Sequence, residues 1–148
     1  MKLLLLSMIM ALTLYGSVKD KIFELYQNKN YEEACSYGFK YFDRFKRDEK
    51  IVSLYGFSCL NIDYVDRLSV PITILKRSVQ SRANAAYFST VLLQKKILYH
   101  ALVDNYDISS LNLPTTDYVL SKVFDLYTKR KDKKVKKTYT FTDEKDTK

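Results

Sequence analysis

Glycine, proline and histidine are scarce in this chain of 148 residues, which has three glycines, two prolines, one histidine and no tryptophan. Short strands joined by tight turns need more glycine and proline, so the composition argues against an all-β fold and favours helices. Phosphate-binding loops and nucleophile elbows need clustered glycines, whereas Gly16, Gly38 and Gly56 are far apart. One histidine cannot make a metal site by itself. The composition therefore predicts an all-α protein that has no cofactor.

Hydrophobic residues make up 47% of the chain and aromatic residues 14%, which is enough for one hydrophobic core. The length is that of one domain. We predict a single all-helical domain over residues 17–130, preceded by a signal peptide over residues 1–16 and followed by a disordered basic tail over residues 131–148.

The first sixteen residues have the pattern of a secretory signal peptide. Lys2 supplies a positive start, an apolar run covers residues 3–14, and small residues follow at Gly16 and Ser17. The run is shorter than the roughly 20 residues of a membrane-spanning helix, although an uncleaved anchor stays open as the alternative. We therefore predict an exported protein that is periplasmic or extracellular.

Cys35 and Cys59 are the two cysteines of the predicted mature chain. Export would place them where disulfides persist, and a bridge closing a loop of about 24 residues would stabilise the fold by about 3 kcal/mol in the chain-entropy model. Each cysteine also falls on an apolar helix stripe, so two small buried thiols are the alternative. Neither belongs to a C-x-x-C pattern, which argues against zinc binding and thioredoxin-like redox chemistry.

The formal charge of +8 is concentrated at the end of the chain. Residues 129–148 contain nine basic and four acidic residues, whereas residues 17–128 contain 15 basic and 13 acidic residues. A body so close to neutral offers no basic face to nucleic acid, so we predict no nucleic-acid partner. The tail could make weak contact with an anionic membrane or envelope polymer, the alternative being a solvated, screened tail. Its basic run is Lys129, Arg130, Lys131, Lys133, Lys134, Lys136 and Lys137.

Apolar residues recur every three or four positions along most of the body, which predicts amphipathic helices. Polar residues that can cap a helix separate these stretches. We predict about six helices in three antiparallel pairs. They cover residues 18–28, 31–47, 48–62, 63–79 and 82–105 and, after a cap at Thr115 or Thr116, residues 118–127.

Proline and apolar residues refine this assignment at three places. The apolar spacing of the fourth helix continues through Pro71, so we predict one helix kinked there, in preference to a start at Ser69 or to a buried strand. The helix over residues 82–105 is apolar nearly all round in its first half, which predicts a central position. The polar connection 106–117 should be held against the body by its apolar residues. These are Ile108, Leu111 and Leu113.

The stretch LYQNKNYEEACSYGFKYF, residues 25–42, resembles the join between the two helices of a tetratricopeptide repeat. An aromatic residue ends one helix, a polar turn follows, and Tyr31 precedes Glu33 and Ala34. The resemblance covers residues 22–79, and it implies a right-handed helical array that binds a protein or peptide.

A second copy of the pattern begins 34 residues further along. Val65 lies 34 residues after Tyr31, and the pair Tyr55-Gly56 is similar to the Leu-Gly pair of these repeats. Lys29 and Asp63 stand where the family has its turn glycine. The two copies therefore have the spacing of the family and differ from it at the turn.

Thirteen tyrosines suggest a stacking surface for a carbohydrate or peptide. Most lie on helix stripes, where a ring in the core with its hydroxyl at the edge is the ordinary arrangement. Four are candidate interaction residues, provided that they share one concave face. These are Tyr26, Tyr41, Tyr64 and Tyr106.

His100 follows Lys96 by four residues and precedes Asp104 by four on the predicted long helix. It can pair with Asp104, but a partly exposed helix residue is the simpler interpretation. No arrangement of nucleophile, base and acid accompanies it.

Three functions are compatible with these features. The one we favour is an exported protein-interaction or scaffold module of the cell envelope, periplasmic, monomeric and without catalytic activity, that binds a protein or peptide partner. The second is a small envelope hydrolase or ligand-binding protein with a tyrosine-lined cleft near His100 and Asp104. The third is a tether, a protein that its basic tail holds on anionic envelope surfaces.

Overall fold

The structure, a computed structural model, describes residues 17–129. The predicted signal peptide and the predicted disordered tail lie outside the described residues. Over the described range the chain is helical and has no strand, which confirms the predicted all-α class. Its α-helices are α1 (Val18–Gln27), α2 (Tyr31–Lys40), α3 (Glu49–Asn61), α4 (Ser69–Ile74), α5 (Val79–Val103) and α6 (Val119–Thr128). Short 3-10 helices at Phe42–Arg44 and Val65–Leu68 precede α3 and α4.

Side-chain caps fix where four of these helices begin. The Ser17 hydroxyl accepts the N–H of Asp20, whose carboxylate accepts the N–H of Ser17, so α1 opens on a capping box. Asn30, Asp48 and Ser78 each accept a backbone N–H three residues ahead, at the starts of α2, α3 and α5. Such a cap stabilises a helix by about 1 kcal/mol.

The prediction of one kinked helix through Pro71 is wrong. Pro71 is the third residue of α4, where its missing N–H leaves no helical hydrogen bond unmade. The backbone then becomes extended at Leu75, and Val79 opens α5. A start at Ser69, which the sequence argued against, is therefore what the structure has.

Three other predicted boundaries also change. α2 ends at Lys40, because a 3-10 helix and two turns replace its last turns before Asp48. α5 covers residues 79–103, in place of the predicted 82–105. The predicted cap of the last helix at Thr115 or Thr116 is wrong, since the N-cap of α6 is Tyr118.

Two hydrophobic clusters fill the body. The larger includes Phe45, Tyr55 and Phe88 and joins the segment before α3 to α3 and α5. The smaller consists of Leu98, Ala101, Ile108 and Phe124 and joins the end of α5 to the following connection and to α6. Leu111 and Leu113 pack against it, so the expectation that apolar residues hold the connection to the body is confirmed. α5 contacts α3, α4 and α6, whereas α3 contacts α1, α2, α4 and α5. The buried residues of α5 recur every three or four positions along one face, so the prediction that it is the central helix, buried on several sides, is wrong.

A disulfide joins two of the helices, and two glycines allow three helices to approach closely. Cys35 of α2 is bonded to Cys59 of α3, and both residues are fully buried. A Cβ atom at Gly38 would collide with the ring of Tyr55, and one at Gly56 would lie 2.6 Å from the ring of Phe88. The rings of α3 and α5 can therefore pack directly on the backbone of α2 and α3.

Two turns, one after α1 and one after α3, have the same geometry. In the first, Lys29 has a φ of 58° and the N–H of Asn30 donates to the carbonyl of Leu25 at 2.9 Å. In the second, Asp63 has a φ of 62° and the N–H of Tyr64 donates to the carbonyl of Cys59 at 2.9 Å. These are the features of the Schellman motif, in which glycine usually occupies the left-handed position.

We expect Lys29→Gly to raise the free energy of unfolding by about 0.5–1 kcal/mol, because glycine removes the left-handed strain of a residue with a Cβ atom. Asp63→Gly is the matched comparison, since it relieves the same strain but loses the hydrogen bond that the Tyr118 hydroxyl donates to Asp63. Urea denaturation of both variants measures the difference. Equal stabilisation of the two variants would contradict this account of the Asp63 turn.

Candidate functional site

Two Lys-Arg pairs that are 30 residues apart in the sequence, Lys46-Arg47 and Lys76-Arg77, line one groove. The first pair directly precedes α3 and its cap, and the second lies in the turn between α4 and α5. Glu49 and Ile74 complete the lining, and the groove has a volume of about 230 Å³. We call this surface the double Lys-Arg groove.

Glu49 connects the two segments that form the groove. Its carboxylate accepts the backbone N–H groups of Lys76 at 2.8 Å, Arg77 at 2.9 Å and Ser78 at 3.4 Å. The N–H of Lys76 contributes most to lowering the pKa of Glu49, which falls to about 2 despite partial desolvation. The carboxylate is therefore ionised at neutral pH and is bonded to the turn.

Arg82 stabilises the same turn by bonding to its carbonyl groups, as Glu49 bonds to its N–H groups. Its guanidinium donates to the carbonyl oxygens of Lys76 at 3.2 Å and Arg77 at 2.9 Å. The backbone N–H and C=O groups of this pair are thus bonded within the protein, while both residues are exposed. The turn is held in place and leaves two cationic side chains for contact with a ligand.

The cations of the groove exceed its acids. Within residues 17–129, no carboxylate forms an ion pair with Arg47, Lys76 or Arg77. Lys46 pairs with Asp43 at 2.8 Å, an exposed contact of the kind that contributes less than about 1 kcal/mol. The lining of the groove therefore carries a net positive charge.

Stability should depend on pH through Glu49. Because its pKa is lowered from 4.5 to about 2 in the folded protein, the stabilisation is fully present above pH 4.5 and is lost as the pH falls toward 2. We expect Glu49→Gln to unfold at a lower temperature than the parent at pH 7, and this difference to shrink toward pH 2. Thermal unfolding followed by circular dichroism measures it, and a difference that stays constant with pH would contradict the assignment.

The four candidate tyrosines are not brought together. Over the described residues no ring contact joins any two of them. The partial burial of Tyr26 raises the pKa of its hydroxyl. Tyr26 packs on Tyr31, Tyr41 on Tyr37, Tyr64 on Arg67 and Tyr106 on His100, with separations of 5.5, 4.6, 5.0 and 4.4 Å. Each ring therefore has a neighbour of its own, and the structure gives these tyrosines no common contact.

Arg67 forms a contact that the sequence did not predict. Its guanidinium lies 4.6 Å from the ring centre of Phe39 and 5.0 Å from that of Tyr64, and it donates to the sulfur of Cys35 at 3.5 Å. Phe39 is 60% exposed, so this stack lies at the surface beside the disulfide. Cation–π contacts of this kind contribute about 0.5–1 kcal/mol at exposed sites.

His100 and Asp104 form a surface pair. Nδ1 of His100 lies 2.7 Å from the Asp104 carboxylate, and the imidazole stacks on Tyr106 with ring centres 4.4 Å apart. All three residues are exposed. In the part of the chain that the structure describes, no group of three or more acidic, histidine or cysteine residues could hold a metal ion.

Lys129 is the one member of the predicted basic run that the structure describes. Its ammonium pairs with Asp125 at 3.2 Å on α6. The rest of the run, Arg130, Lys131, Lys133, Lys134, Lys136 and Lys137, lies outside the described residues. Between residues 17 and 129, no helix has both the length and the apolar character needed to cross a bilayer.

The sequence analysis missed the double Lys-Arg groove because it treated the charge of the body as a total. A local signal was present, since each Lys-Arg pair directly precedes the N-cap of a helix, Asp48 for α3 and Ser78 for α5. Comparisons of the chain with protein-family models, with curated proteins and with solved structures found no match.

Proposed function

We propose that this chain is an exported, non-catalytic protein-interaction module of the cell envelope, whose folded body binds an acidic partner in the double Lys-Arg groove. The proposal rests on one observation. Two Lys-Arg pairs line the same groove, beside a turn whose backbone is hydrogen-bonded to Glu49 and Arg82. Cations on a fixed backbone bind an anion with a smaller loss of conformational entropy than cations on a flexible segment. The module would act as a monomer in the periplasm.

For the α-helices we propose a right-handed array of three antiparallel pairs, similar to tetratricopeptide repeats. The two Schellman turns support it, because Lys29 and Asp63 are 34 residues apart, which is the period of such a repeat. The contacts of α1 with α2, α3 with α4 and α5 with α6 are those that the pairing requires. Arrays of this kind present extended surfaces to protein partners.

The disulfide supports the proposal of export. Cys35 and Cys59 are bonded to each other and fully buried, and such bridges persist in oxidising compartments. The signal-like pattern at the start of the sequence is consistent with the same compartment.

Affinity capture from the envelope fraction of the native host tests this function. The full exported chain is compared with Arg47→Glu/Arg77→Glu and with the control Lys29→Glu/Lys122→Glu, which makes the same change in net charge. Both control lysines are exposed, one in the turn after α1 and one on α6. Lys29 follows the last turn of α1, whereas the groove lies near the first turn of α1, where Lys19 bonds Asp48 at 2.9 Å.

We expect mass spectrometry to identify a partner that the parent and the control variant retain and the groove variant loses. A form without residues 129–148 should retain the same partner. Equal retention by the groove variant would overturn the proposal. A partner lost only with the tail would do so too, because binding would then belong to the basic run and the tether hypothesis would hold.

A further inference from the structure

We infer that the double Lys-Arg groove binds an extended acidic peptide segment, one whose carboxylate side chains reach between Lys46-Arg47 and Lys76-Arg77. The inference rests on the proposed function and names the chemistry of the partner. Four cationic residues from two segments line a groove of about 230 Å³. Pockets that enclose a drug-sized ligand hold about 300–1,000 Å³, so this groove fits a few side chains of a longer ligand.

Backbone donors at the groove are already occupied, which argues against a small inorganic anion. Free phosphate and sulfate are commonly bound by backbone N–H groups at a helix start or in a nest. Here the N–H groups of Lys76, Arg77 and Ser78 all donate to Glu49, directly before α5. The protein's own carboxylate thus takes the place of such an anion, and only cationic side chains remain for a ligand.

The lining contains no aromatic ring, which argues against a nucleic-acid strand. Proteins that bind single strands combine a positive groove with aromatic side chains on which the bases stack. The lining residue without a charge is Ile74, a half-buried aliphatic side chain. It can contact the methylene groups of a glutamate side chain but offers no stacking surface.

The concave arrangement also favours a peptide over a membrane surface. Anionic bilayers attract basic residues that are spread over an accessible surface. The cationic residues here come from two segments that line one small groove, and Glu49 of the first segment is hydrogen-bonded to the second. A carboxylate entering this volume can take the place of Asp43 as the partner of Lys46, because that ion pair is exposed.

Titration of the full exported chain with a hexaglutamate peptide, followed by calorimetry, tests the inference. We expect Arg47→Glu/Arg77→Glu to raise the Kd by about 30-fold or more, because each reversal removes an attraction and adds a repulsion. The control Lys29→Glu/Lys122→Glu should change the Kd by less than about threefold, because both substitutions lie outside the groove lining. The groove variant and the control variant keep the same basic tail. The difference should diminish as salt is added, because salt screens the charges.

Two further titrations use a hexathymidylate strand and vesicles that contain an anionic phospholipid. Binding of either probe that depends on Arg47 and Arg77, in the absence of peptide binding, would overturn the inference in favour of that ligand. Equal weakening of peptide binding in the groove and control variants would also overturn it. Capture that depends on the groove, combined with no hexaglutamate binding, would leave the proposed function standing and remove only the acidic peptide. Thermal melts that match the parent show that the variants are folded.

Discussion

Replacing Cys35 and Cys59 together by alanine should lower the free energy of unfolding by about 3 kcal/mol or more, and the midpoint of thermal unfolding by roughly 10 °C or more. The bridge joins residues 24 positions apart, so its loss releases a restraint on the unfolded chain. Both residues are fully buried, and the missing sulfur atoms would also leave a space between α2 and α3. Urea denaturation of the parent and the variant measures the change in free energy.

Reducing agent provides a second measurement of the same effect. Excess dithiothreitol should destabilise the parent and leave Cys35→Ala/Cys59→Ala unchanged, since only the parent has a bond to reduce. Ser36→Ala is the control, because this residue is adjacent to Cys35 but exposed. A parent that is equally stable with and without reductant would contradict the prediction. It would also weaken the proposal of export, which the disulfide supports.

The helices could be predicted where local chemistry sets their ends. The beginnings of α1, α2 and α3 follow residues that cap them, namely Ser17, Asn30 and Asp48. The break between α4 and α5 has another cause, since its turn is held by a carboxylate 27 residues earlier in the chain. Val79 continues the apolar spacing but is 77% exposed, so periodicity alone extended the predicted fourth helix to Val79, although α4 ends at Ile74 and Val79 opens α5.

Neighbouring acids hid only the first half of the groove from the sequence. Asp43, Asp48 and Glu49 nearly cancel the basic residues around Lys46-Arg47, whereas residues 67–103 contain six basic and no acidic residues. In the structure Asp48 pairs with Lys19 and Glu49 bonds to backbone N–H groups, so two of these acids are engaged elsewhere. The sequence gives the charges but not their partners, and the partners decide whether a surface attracts an anion.

A buried polar contact between α5 and α6 leads to the second prediction. Gln94 is 1% exposed, donates to the carbonyl of Pro114 at 2.9 Å and accepts from the Ser121 hydroxyl at 3.0 Å. The same hydroxyl accepts the N–H of Thr116 at 2.8 Å. One side chain of α5 thus bonds to the connection before α6 and to α6 itself.

We expect Gln94→Leu to lower the free energy of unfolding by about 1–3 kcal/mol, because it removes the hydrogen bonds that Gln94 makes to the Pro114 carbonyl and to the buried Ser121 hydroxyl. Leucine fills a similar volume, so the loss reports the missing hydrogen bonds and not a cavity. Chemical denaturation measures it. Relative to the parent, hydrogen exchange should speed up more in α6 than in α3, which makes no hydrogen bond with Gln94.

The double variant Gln94→Leu/Ser121→Ala provides the matched control. Each single variant removes the hydrogen bond between Gln94 and the Ser121 hydroxyl, so the double variant should lose less stability than the sum of the single variants. Strictly additive losses would mean that the two side chains do not act on each other. A Gln94→Leu variant within about 0.5 kcal/mol of the parent, the range of an ordinary surface change, would mean that Gln94 does not hold α6 to the body.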